Sequence, residues 1–209
     1  MNTKTKITLS ANELELLTNT AWIFTKHSVI DKVYHLFGGV LALMKDHLLL
    51  HAEGLPEVYI NSEPKISKGE NYQLLPYVML DYPRYFTKEA VLAVRTFFWW
   101  GNFFSVTLQL SGKYKKDFEP LLVKNFVWLA EHDYWICIQN DPWRHHFNAD
   151  NYVLIKSLQQ QEFTAVLNRE PFIKIARKIS ISEWNNAAEF IVTVFAEITD
   201  MLQNQAPRR

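Results

Sequence analysis

The side chains best equipped for chemistry fall in four groups. Asp141-Pro142-Trp143-Arg144-His145-His146 puts a carboxylate, a guanidinium and two imidazoles within a short stretch that reads as a turn after a strand. Such a set can bind an anion or move protons. Adjacent histidines in an extended loop point apart, so joint metal ligation by His145 and His146 is awkward. The structural alternative is a solvated turn with Trp143 tucked into the core.

His47 and His51 stand four residues apart beside Asp46. On a continued helix they share a face and can supply two metal ligands. Gly54 follows closely, so they also suit an ordinary helix end, where imidazoles meet the negative pole of the dipole.

Lys68-Gly69-Glu70-Asn71-Tyr72 and Asp81-Tyr82-Pro83-Arg84-Tyr85 bracket one expected strand. Ten residues of strand span roughly 33 Å, too far for one compact site. Asp81 and Arg84 are expected to pair across the turn. Arg84 can otherwise take a carboxylate or phosphate in two parallel hydrogen bonds.

Arg95 interrupts an apolar run and precedes Phe97-Phe98-Trp99-Trp100. A guanidinium in such surroundings must snorkel, pair or face a cavity, and Trp99 or Trp100 can stack on it. Cys137, between Ile136 and Ile138, reads as a buried, inert thiol.

Composition narrows the function classes. The chain has 209 residues, with 22 Lys and Arg against 22 Asp and Glu, so it lacks the net basic footprint of a nucleic-acid binder. One cysteine rules out an intrachain disulfide and any multi-cysteine metal site, in keeping with a cytoplasmic setting. The longest apolar run, Leu36 to Met44, falls short of the roughly twenty residues of a membrane span. No Walker A loop, Rossmann glycine fingerprint, nucleophile elbow or His-Glu-x-x-His motif occurs. Five of the seven Trp and eight of the nine Tyr lie between Tyr59 and Tyr152, as either a large aromatic core or a ligand surface.

The elements that must position these groups follow from periodicity and caps. Ser10 and Glu13 form a capping box before a first helix, and Ser28 with Asp31 suggests the start of a second, so 11–50 reads as a helix pair. Gly38-Gly39 suggests a close helix approach. Residues 57–70 read as loop, Tyr72 to Asp81 as strand and 88–97 as a short helix. Over 102–111, Phe104, Val106, Leu108 and Leu110 alternate with Phe103, Ser105, Thr107 and Gln109, the clearest strand. Helices are expected over 116–130 and 150–168, and strands over 134–139 and 172–179. A long C-terminal helix begins with Ser180 and Glu183.

The expected fold is α+β: a mostly antiparallel sheet of four to six strands packed by helices, forming a single domain over 1–209 with loose ends at 1–9 and 204–209. The expected function is non-enzymatic binding of a small organic or anionic ligand, or of a protein partner, in an aromatic-lined pocket. Its residues would be Arg84, Arg95, Trp99 and Trp100, with Asp81 and Tyr82. No cofactor, membrane or nucleic acid is expected. The alternatives are a metal-assisted hydrolase using His47, His51, Asp141, His145 and His146, which requires three of them to converge, and a homodimeric assembly protein.

Overall fold

A computed structural model of the chain describes residues 7–203. The expectation of loose ends at 1–6 and 204–209 lies outside the described residues, while residues 7–9 are irregular and exposed. The strands are β1 (Lys65–Tyr72), β2 (Leu75–Phe86), β3 (Val91–Trp99), β4 (Phe103–Ser111), β5 (Trp135–Cys137), β6 (Tyr152–Leu154) and β7 (Phe172–Ser180). They form one sheet in the order β1-β2-β3-β4-β7-β5-β6, with every pairing antiparallel. The architecture is thus α+β, with seven strands among the described residues rather than the expected four to six.

The helices are α1 (Ala11–Thr18), α2 (Thr20–Leu50), α3 (Glu57–Ile60), α4 (Gly112–Lys124), α5 (Phe126–Glu131), α6 (Gln160–Arg169) and α7 (Ala187–Leu202). The main core lies between α2, α7 and one face of the sheet. There Phe37, Val40 and Met44 of α2 and Ile191, Phe195 and Ile198 of α7 bury against Leu92, Val94, Phe104, Val106 and Leu108. The alternation read in 103–111 is realised, its even-numbered residues pointing into this core.

The opposite face is not left to solvent. Phe97, Trp99, Phe103, Phe147, Tyr152 and Phe172 form a second buried cluster there. The segment between β5 and β6 supplies Phe147 and closes over the sheet. Ser105, Thr107 and Gln109, the polar residues that alternate with the apolar face of β4, are therefore buried.

Several boundaries differ from expectation. The expected helix at 88–97 is strand β3, because all nine of its residues are buried. A strand covered on both faces has no alternation to read. Residues 65–70, read as loop, pair with β2 as half of a hairpin. The helix expected over 150–168 gives way to β6 and a 3-10 turn before α6. The one expected over 116–130 starts earlier, at Gly112, and breaks at Asn125 between α4 and α5.

The Ser10–Glu13 capping box is formed, with the Glu13 amide donating to Ser10 Oγ at 3.3 Å and the Ser10 amide to Glu13 Oε2 at 2.7 Å. The second helix starts at Thr20, capped by Asn19, not at Ser28, which lies inside it. A methyl group added at Gly38 or Gly39 would meet nothing within 4 Å, so no helix approaches there. At the C-terminal end, Ser180 caps a 3-10 turn that contains Trp184, and the α-helix begins only at Ala187.

By length and composition alone α2 qualifies as a membrane span, although runs of apolar residues gave no such expectation. Its Ile30, Val33, Phe37, Val40, Met44 and Leu48 instead form a stripe seated on the fold.

Candidate functional site

The second face of the sheet carries a row of functional side chains in register. Lys65 lies opposite Asp81, Asp81 opposite Arg95, and Arg95 opposite Thr107 on four neighbouring strands. The next row brings Arg84 opposite Ala93, Ala93 opposite Gln109, and Gln109 opposite Lys174. Arg84 reaches this face through an irregularity. Between Asp81 and Arg84 the register shifts, so three steps along β2 match two along β3. A regular strand would send residues three apart to opposite faces; the extra residue of a bulge returns Arg84 to the face of Asp81.

Arg95 is the centre of the arrangement. Its Nε donates to Asp81 Oδ1 at 2.7 Å and its Nη2 to Asp81 Oδ2 at 3.0 Å, with both residues buried. The pairing of Asp81 with Arg84 expected from sequence is replaced by this cross-strand one. His145 Nε2 lies 3.3 Å from Arg95 Nη1. Burial, then the cations Lys174 and Arg95, hold the His145 pKa well below its usual value, so the imidazole is neutral and its Nε2 accepts. The guanidinium carbon also sits 5.7 Å from the Phe86 ring and 5.8 Å from that of Trp143.

A guanidinium has five N–H donors. Asp81 takes two of Arg95's and His145 one, and no acceptor among the described residues takes the other two. Beside Arg95 opens a pocket of about 260 Å³ lined by Lys65, Asp81, Arg84, Phe86 and Trp143 among others. Three cations against one carboxylate leave a surplus of two positive charges at its wall. Trp143, 54% exposed, forms its outer rim.

The covering segment is fixed from beneath. Tyr72 Oη accepts the amide N–H of His145 at 2.6 Å and of His146 at 3.0 Å. Lys174 Nζ donates to the carbonyl of Arg144 at 2.5 Å. Lys174 is 1% exposed, and burial lowers its pKa to about 8. Asp141 Oδ1 accepts the Trp143 amide at 2.9 Å and so shapes the turn.

Of the residues picked from sequence, Asp81, Arg84 and Arg95 come together. Trp99 shares their sheet face but stands four residues from Arg95, packed edge-on against Tyr72 at 5.2 Å and Phe103 at 5.6 Å. Trp100 lies beyond the end of β3, beside Phe98, Trp184 and Val29 of the helical side. Tyr82 points into the main core and stacks with Phe195 at 6.2 Å. The expected single pocket is therefore divided, because strand alternation and the end of β3 send its members to different places.

The metal candidates are divided as well. His47 and His51 stack on each other at 4.2 Å at the end of α2, with His47 Nε2 3.9 Å from Asp200 Oδ1 of α7. His145 and His146 lie across the sheet, over Tyr72 and Phe97. Among the described residues no group of three or more His, Cys, Asp or Glu is placed to hold a metal ion. Cys137 is buried, and burial pushes its thiol pKa up.

Lys65, Phe86 and Lys174 were missed, and Tyr72, named in the Lys68–Tyr72 group, was placed too far from Asp81 to share a site with it. In the sequence Lys174 simply alternates with Ile173 and Ile175 in the expected strand 172–179, and the one signal of its burial is the aromatic segment 143–147, which needs a surface to cover.

No protein-family model, curated protein or solved structure matches the chain.

Proposed function

We propose that the protein binds a small organic anion, a carboxylate or phosphate ester, in the pocket between Arg84, Arg95 and Trp143. The observation that carries this reading is Arg95 itself. It is held rigid by Asp81, His145 and two aromatic rings, and keeps two N–H groups for a ligand at the pocket wall. A fixed guanidinium suits planar, paired oxygens, and little entropy is lost when it binds them. Lys65 and Arg84 add charge, while Trp143 and Phe86 offer flat surfaces to an aromatic or short aliphatic body. The volume suits a ligand of about ten heavy atoms rather than a nucleotide.

Titration with inorganic phosphate, benzoate and phenyl phosphate tests the reading through tryptophan fluorescence and calorimetry. Saturable binding of at least one is expected, with its fluorescence signal lost in Trp143→Phe. Arg84→Gln removes an exposed cation and weakens binding about tenfold or more, the scale of one charge-assisted hydrogen bond. Binding indifferent to Arg84→Gln, or no saturable binding of any of the three, overturns the proposal.

A further inference from the structure

Among the described residues the first part of the segment before the sheet buries almost nothing inside one copy, and Lys26 pairing with Glu70 is its one ion pair to the sheet. From Ile7 to Ser28 only Ile23 and Lys26 are even partly covered. Helix α1 has no buried residue. An isolated helix of eight residues is marginal in water, so its stability must come from packing against something. Yet Leu9, Leu14, Leu17, Trp22 and Phe24 each expose between 46% and 69% of their surface. With Ile7 and Leu16, these side chains present on the order of 800 Å², one partner's share of a standard protein interface.

At the root of this arm lies a groove of about 450 Å³, lined by Val29 and Lys32 of α2 and by Phe98, Trp100 and Trp184. It is apolar except for Lys32, which makes no ion pair among the described residues. The arm carries apolar side chains and the exposed acid Glu15, for which no ion pair is seen either. Continuous helix from Thr20 through Lys32 carries the arm away from the groove of its own copy. In a symmetric pair both surfaces are met at once, each copy lending its arm and receiving the other's.

We propose that two copies of this chain associate by exchanging arms. Leu14, Leu17, Trp22 and Phe24 of one copy cover the Trp100–Trp184 groove of the other, and Glu15 approaches Lys32 across the interface. A lipid surface is the less fitting occupant. Interfacial helices present lysines and arginines to anionic headgroups, whereas the described residues of this arm offer Glu13, Glu15 and a Lys26 already paired with Glu70.

Sedimentation velocity on the full chain up to about 100 μM tests this. A dimer is expected, and Leu17→Glu/Trp22→Glu is expected to be a monomer with an unchanged circular-dichroism spectrum, since neither side chain is buried in one copy. Lys32→Glu should weaken the dimer, and Glu15→Lys in the same chain should restore it. A monomeric wild type overturns the proposal, as does a dimer that survives the double substitution. A dimer indifferent to Lys32→Glu removes the groove as the seat of the arm. Pelleting of a monomeric wild type with phosphatidylcholine–phosphatidylserine vesicles would assign the arm to a membrane instead.

Discussion

Asp81 and Arg95 face each other across neighbouring antiparallel strands and share two hydrogen bonds, at 2.7 and 3.0 Å, with 5% and 7% of their surfaces exposed. Removing one partner from a buried pair strands the other's charge. Asp81→Ala is expected to lower unfolding stability by about 3–5 kcal/mol. Replacing both, with Asp81→Leu and Arg95→Met, should recover most of that loss while abolishing anion binding. Urea unfolding of the three proteins measures the effect, and equal losses in the single and double variants would contradict it.

Tyr72 holds down the covering segment through one oxygen that accepts two amides. Tyr72→Phe keeps the ring and leaves both N–H groups without their acceptor. A loss of about 1–3 kcal/mol is expected, with faster hydrogen exchange at His145 and His146. Exchange at the wild-type rate would mean that the Lys174–Arg144 bond alone secures the segment.

Lys174 sets a pH dependence whose sign is fixed. Its folded pKa is about 8, against 10.5 for an ordinary lysine. Between those values the unfolded chain binds a proton that the folded chain has released, so the Lys174 contribution to stability rises with pH, by about 2 kcal/mol between pH 8 and 10 on its own. From about pH 9 upward an opposing trend sets in and wins before pH 10. Burial raises the folded pKa values of Tyr59, Tyr134 and Tyr152, and their contribution is lost as the unfolded tyrosines ionise. On the acid side, the unfolded His145 takes up a proton below its ordinary value of 6.5 that the folded imidazole refuses, so stability falls there. Unfolding measured across pH 5–11 should peak between about pH 9 and 10, and Lys174→Met should flatten the alkaline rise.

The glycines separate two kinds of position. Gly38 and Gly39 lie inside α2 with open space around them, so alanine at either should stabilise by about 0.5–1 kcal/mol. Gly112 opens α4 with φ +58°, and a Cβ there would lie 2.0 Å from the carbonyl oxygen of Glu89. Gly112→Ala should therefore destabilise by about 2–4 kcal/mol. Thermal unfolding of the three variants reads out both signs.

Local chemistry was sufficient to mark certain elements in advance. The Ser10–Glu13 box starts a helix wherever the chain goes, because both hydrogen bonds lie within four residues. The alternation of 103–111 predicts a strand and the side it buries. An arginine in an apolar run must find a partner, and Arg95 does. What periodicity could not supply was which residues meet. Strand β3 is buried on both faces and loses the signature that separates strand from helix. The partner of Arg95 is Asp81 rather than a residue nearby in sequence, because register between strands chose it. A single extra residue in β2 set Arg84 beside them, and the β5–β6 segment turned Lys174 from a surface residue into a buried one. Helical and strand periods depend on each residue's immediate neighbours. Register, bulges and the covering of a sheet face depend on contacts between segments far apart in the chain, so only the tertiary fold decides them.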